Sequence, residues 1–69
     1  MSASVRINGE SCTTSAETLE ALLRELGLDP TRKGLAVALN GSVAPRGRWT
    51  EIALQPNDEI EIVRPARGG

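Results

Sequence analysis

The sequence predicts an α+β fold in two layers: a mixed sheet of four to five strands with one main helix packed across it. Three observations carry that prediction. Two Asn-Gly pairs sit between short apolar runs, one leucine stripe recurs at helical spacing, and the last apolar segment alternates strictly as a strand does. The chain has 69 residues, enough for one small domain and no second. Residues 1–63 are read as the folded body and residues 64–69 as a flexible C-terminal tail.

Ser4-Val5-Arg6-Ile7 alternates polar and apolar and runs into Asn8-Gly9. Asn-Gly suits a type I′ hairpin turn, which needs positive φ at both central residues. A second strand over residues 10–13 should therefore pair antiparallel with the first, with Val5 and Ile7 facing the core. Next, Thr14-Ser15-Ala16-Glu17 has the spacing of a helix capping box. Leu19, Leu22, Leu23 and Leu26 then fall on one helical face, and Glu20 and Arg24 form an i,i+4 pair off it. Gly27 stands where a left-handed C-cap belongs, and Asp29-Pro30 prevents continuation, so about three turns of helix are expected.

Leu35-Ala36-Val37-Ala38-Leu39 is nearly all apolar, the pattern of a strand covered on both faces or lying centrally. Asn40-Gly41 turns it into Ser42-Val43-Ala44, which Pro45 limits to a short or edge strand. Residues 46–50 read as irregular, with Trp49 folded onto the body as a lid and Arg46 and Arg48 as surface charge. Ile52 and Leu54 are further anchors, and Gln55-Pro56-Asn57-Asp58 is a turn. Glu59-Ile60-Glu61-Ile62-Val63 closes the body with Ile60 and Ile62 inward. A β-grasp arrangement satisfies this order, with the first and last strands parallel at the centre.

Composition narrows the function. Trp49 is the only aromatic residue, so the core must be aliphatic. Eight basic against nine acidic residues give a net charge of −1, without the basic surplus and stacking aromatics of a nucleic-acid binder. There is no histidine and one cysteine, which removes the commonest general base and leaves no intrachain disulfide or zinc site to expect. Cys12 has no cationic neighbour in sequence to activate it and reads as a buried structural thiol. No apolar run approaches a membrane span and no signal peptide is evident at the N-terminus, so a cytoplasmic protein is expected.

The tail, Arg64-Pro65-Ala66-Arg67-Gly68-Gly69, points to what such a protein does. Pro65 has no N–H for a ladder, so the strand should end before it. Gly68 and Gly69 then carry a carboxylate with no side chain near it, thin enough to enter a narrow channel. A chain so poor in acid–base groups, with such an end, fits a substrate or carrier better than an enzyme.

The residues also resemble a known family, the ThiS-type ubiquitin-like sulfur carriers of thiazole and thiamine biosynthesis. The likeness lies in the opening strand into Asn8-Gly9-Glu10 and in Thr18-Leu19 at the helical stripe. It continues in Ala38-Leu39-Asn40-Gly41-Ser42-Val43-Ala44-Pro45-Arg46 with Trp49 beyond, in Asn57-Asp58-Glu59-Ile60-Glu61-Ile62-Val63, and in the terminal Gly-Gly. The basic linker departs from the apolar-Ala linker expected of the family. The resemblance implies that a partner adenylyltransferase, similar to ubiquitin-activating enzymes and using ATP, adenylates the Gly69 carboxylate. Sulfur originating from a cysteine desulfurase then displaces AMP, and the resulting thiocarboxylate feeds a thiazole synthase. On this reading the chain binds no cofactor or metal itself, and Arg64, Pro65, Ala66, Arg67 and Gly68 line its passage into the partner's channel. The sheet face opposite the helix, including Ala36, Ala38 and Val63, is a docking candidate. Other readings are the small subunit of a molybdopterin synthase, another biosynthetic sulfur carrier, a ubiquitin-like modifier of target lysines, and a plain interaction module.

Overall fold

The computed structural model describes residues 2–65. Five strands, β1 (Ala3–Ile7), β2 (Glu10–Thr14), β3 (Ala36–Leu39), β4 (Ser42–Val43) and β5 (Glu59–Val63), form one sheet in the order β2-β1-β5-β3-β4. One helix, α1 (Leu19–Glu25), crosses it, and a 3₁₀ turn spans Arg46–Arg48. β1 and β5 pair in parallel at the centre and every other pairing is antiparallel, as the β-grasp order requires. No helix among the described residues is long and apolar enough to cross a membrane.

Both Asn-Gly pairs make the turns their sequence predicts. Asn8 and Gly9 lie at φ 50° and 86°, Asn40 and Gly41 at φ 51° and 87°, the left-handed pair that lets a two-residue loop follow the twist of the strands. They fix the register: Ile7 faces Glu10 across one hairpin and Leu39 faces Ser42 across the other. A slip by one residue would turn Val5 and Val37 out of the core.

The helix starts later than the capping-box spacing predicts. Thr18, not Thr14, is the N-cap, and its Oγ1 accepts from the Ala21 N–H at 3.1 Å. The Thr14 hydroxyl is engaged elsewhere: it accepts from the Ala16 N–H and donates to Glu25 Oε1 at 2.7 Å. The two remaining donors of the first turn are met by a distant loop, Leu19 N–H by the Ile52 carbonyl and Glu20 N–H by that of Trp49. The N–H groups of Leu19, Glu20 and Ala21 thus all have partners, two of them from a loop that local sequence could not reveal.

The C-terminus falls where the sequence predicts it. Gly27 adopts φ 81°, its N–H reaches the Arg24 carbonyl, and the Leu28 N–H reaches that of Leu23. This is the double bond of a Schellman cap. Because it starts at Leu19 and not after Thr14, the helix has seven residues, about two turns rather than three. Leu26 falls at the C-cap and is 38% exposed, while Leu28 after the turn packs against the core in its place.

The core is aliphatic and closed by one indole. Val5, Leu19, Leu22, Leu23, Leu35, Val37, Ile60 and Ile62 are buried together with Ala44 and Trp49. Trp49 is the predicted lid, and its Nε1–H donates to the Ala44 carbonyl at 2.8 Å. Ile52 and Leu54 pack against the same cluster from the loop that holds the helix start. β3 is central, between β5 and β4, yet it is covered on one face only, because Ala36 on the other face is exposed. Its continuous apolar run comes from alanines on the open face, not from burial on both.

Candidate functional site

β5 is the element from which the tail departs, and its ends are held by the two turns. The Asn8 side chain accepts from the Ile62 N–H at 2.8 Å and donates to the Ile62 carbonyl at 3.3 Å. It takes the place of a further strand residue where the ladder of β1 has ended at Ile7. Asn40 does the same at the other end, accepting from the Glu59 N–H at 2.8 Å and donating to Asp58 Oδ1 at 3.0 Å. Asp58 is itself buried, and its Oδ2 accepts from the Gln55 N–H. Sequence reading assigned both asparagines to turns alone. Their side-chain role follows from β5 lying between β1 and β3, which are distant in sequence from it and from one another.

The strand ends at Val63, before Pro65, as its missing N–H dictates. Arg64 is exposed and in no strand, and Pro65 is half-buried. Ala66, Arg67, Gly68 and Gly69, the other predicted tail residues, lie outside the described residues.

Beside the end of β5, the open sheet face carries an apolar patch. Ala36 pairs with Val63 and Ala38 with Val43, so these four side chains share the face opposite α1, with Glu61 at its edge. Val43 is 80% and Val63 is 62% exposed, the extremes among the exposed large apolar residues described. Ala36, Ala38 and Val63 stand where the docking reading put them. Val43 was missed, although the register of the Asn40-Gly41 hairpin places it on this face. Further along the sheet the surface turns polar, with Arg6, Glu59 and Glu61 lining a shallow groove.

On the other side of the tail's exit lies the loop from α1 to β3, held by a residue that sequence reading left as surface charge. The Arg46 guanidinium donates to the carbonyls of Pro30, Arg32 and Leu35, and it stacks 4.8 Å from the centre of the Trp49 ring. A five-donor planar fork can serve three carbonyls at once, and an ammonium could not do so in one plane. Arg48 does remain on the surface, in an exposed pair with Glu51 at 3.2 Å. Within the loop, Asp29 accepts from the Thr31 hydroxyl at 2.7 Å and the Thr31 N–H at 2.9 Å. Those two bonds, the hydroxyl's first, hold its carboxyl below the ordinary range.

Cys12 is half-buried on the core side of β2, opposite Val5, rather than fully buried. Among the described residues its thiol has one hydrogen-bond partner, the Glu10 carbonyl at 3.7 Å, which is not a cation.

Comparison with known proteins agrees with this geometry. Residues 5–69 match the model of the ThiS family. The chain is 44% identical over 64 residues to a thiazole synthase of Paramagnetospirillum magneticum, covering 91% of this chain and 19% of that protein. It is 39% identical over 66 residues to a thiazole synthase of Magnetococcus marinus, covering 94% of this chain and 20% of that one. The chain thus spans about a fifth of the length of these two relatives. A sulfur carrier protein ThiS of Escherichia coli is 31% identical over 55 residues, 80% of each chain. Among solved structures, a thiamine biosynthesis protein (ThiS) of Geobacter metallireducens superposes with a TM-score of 0.77 at 26% identity, covering 96% of this chain and 99% of the other.

Proposed function

The chain belongs to the ThiS family, and we propose that its working group is the Gly69 carboxylate, which becomes a thiocarboxylate. The protein is a sulfur carrier of thiamine biosynthesis. The observation that carries the reading is the reach of the family match, which runs through residue 69 and so includes the Gly68-Gly69 end. A carboxylate is a poor electrophile. Adenylation by a partner that uses ATP supplies AMP as a leaving group. A persulfide originating from a cysteine desulfurase displaces it to give an acyl disulfide, and a thiol reductant cleaves the S–S bond to leave the thiocarboxylate. The thiocarboxylate sulfur is nucleophilic and is delivered on a protein handle to a thiazole synthase. Two thiazole synthases that contain a stretch similar to this chain support that partnership, since one polypeptide there joins carrier-like and synthase sequence.

The fold suits a carrier. Val63, the last residue of the central strand β5, belongs to the apolar face of Ala36, Ala38, Val43 and Val63, so a partner that covers this face meets the chain just before Arg64. Burying exposed aliphatic surface favours association by about 25 cal/mol per Å². Arg64 and Arg67 add positive charge along the approach, suited to an acidic or nucleotide-lined channel. Acid–base chemistry belongs to the partners, and the carrier contributes presentation.

The test is the intact mass of the protein from its own cells. Exchange of one carboxylate oxygen for sulfur adds about 16 Da, and a thiocarboxylate-selective alkylating label mapped to Gly69 separates it from oxidation of Cys12 or Met1. An unmodified terminus, even with the activating partner, ATP and a sulfur source supplied, would overturn the reading in favour of a modifier or a binding module.

A further inference from the structure

Pro65, the last described residue, is half-buried against the α1–β3 loop at Gly34. A Cβ at position 34 would lie 2.8 Å from the Pro65 Cβ and 3.4 Å from its Cα, closer than side chains pack. Gly34 also has φ 86°, a conformation that L-residues adopt at a cost. Two independent features of one position therefore call for glycine, the backbone turn and the proline lying on it. The loop beneath has no helix or strand of its own between Leu26 and Leu35, and Arg46 secures it by its three carbonyl bonds at Pro30, Arg32 and Leu35. Arg46 is in turn fixed by its stack on the buried Trp49.

We propose that Gly34 and Pro65 form a seat that sets the direction in which the C-terminal residues leave the body, with Arg46 as its buttress. The inference rests on the carrier reading for its purpose. A terminal carboxylate that must meet a partner's reacting group gains rate from being aimed before it enters. Proline supplies the rigidity at the point of departure, since its φ is fixed and it adds no ladder bond that would extend β5. Gly34, Pro65 and Arg46 are positioning residues. They act on the reacting carboxylate through the path of the chain, while docking falls to the separate face around Val43 and Val63.

That separation supplies the test. Adenylation of the full-length chain by its activating partner is followed by ATP–pyrophosphate exchange, for wild type, Gly34→Ala, Pro65→Ala and the control Lys33→Ala. Gly34→Ala and Pro65→Ala should lower kcat by about tenfold to a hundredfold, as misaimed reactants do. Their KM should stay within about twofold, because the docking face is untouched. Lys33→Ala should change neither. Pro65→Ala leaves the strained glycine intact, so a folding defect in Gly34→Ala would not spoil the comparison. Wild-type kcat in both variants, or a raised KM with kcat intact, would overturn the seat. In the free protein, proton–proton contacts between Pro65 and Gly34 should be seen by NMR and should vanish in Gly34→Ala. Their absence from wild type would overturn the seat whatever the kinetics. Failure of the carrier reading looks different: wild type itself would show no exchange while the Pro65–Gly34 contact persisted.

Discussion

The two faces of one sheet are built by the same strands and meet opposite ends. On β5, Ile60 and Ile62 turn toward α1 and are 1% and 7% exposed, while their neighbour Val63 turns away and is 62% exposed. β3 repeats the contrast, with Val37 buried and Ala36 exposed. Buried aliphatics on the helix side have already released their share of water and stabilise the fold. Those on the open side retain that free energy for an encounter with a partner. A domain of this size has few aliphatic residues to distribute, so leaving a valine as exposed as Val43 is informative.

The comparison breaks most visibly in the core. Leu23→Ala, at a fully buried position, should cost about 2–5 kcal/mol of stability. Val43→Ala should stay within about 0.5 kcal/mol. Urea unfolding midpoints of the two variants give both numbers. The grip on β5 comes next. Asn8→Gly keeps the left-handed turn and deletes both bonds to Ile62, so a loss of about 1–3 kcal/mol in the same assay would isolate the side-chain amide.

The open face is sharpened by charge. The pair Val43→Asp and Val63→Asp should leave the unfolding midpoint nearly in place and raise KM for the activating partner by about tenfold, the equivalent of about 1.4 kcal/mol. An unchanged KM would move docking off this face. The smallest expected effect is at Asp29. Thr31→Ala removes the largest of the causes that lower its carboxyl pKa, the hydroxyl bond, so an NMR titration should show that pKa rising toward the ordinary value. A lowered folded-state pKa favours the fold above the unfolded-state value, and the benefit fades as pH falls through the folded-state value. Wild type and variant should therefore converge in stability at acid pH, and because Asp29 is exposed the difference at neutral pH should be slight.

Much of the site was legible from local chemistry. Pro65 ended β5, the two Asn-Gly pairs gave their turns, and alternation in residues 59–63 separated inward isoleucines from outward Val63. The misreadings share one cause. Thr14 lost its capping role because the helix start draws on carbonyls of Trp49 and Ile52, more than twenty residues away. Arg46 looked like surface charge because its acceptors are carbonyls of a loop more than ten residues upstream. A guanidinium's sequence neighbours say nothing about such partners.

By itself, then, the sequence determined what depends on φ, ψ and period: strands, turns, a leucine-faced helix, the break at Pro65, and a family likeness extending to Gly69. Tertiary structure alone decided which polar side chains grip β5, where the helix begins, that Val43 joins Val63 on an open face, and that Pro65 rests on Gly34. The division has a physical reason. Local conformation is set by sterics within a few residues. The partners of Asn8, Arg46 and Gly34 are supplied by segments that only the closed sheet brings near.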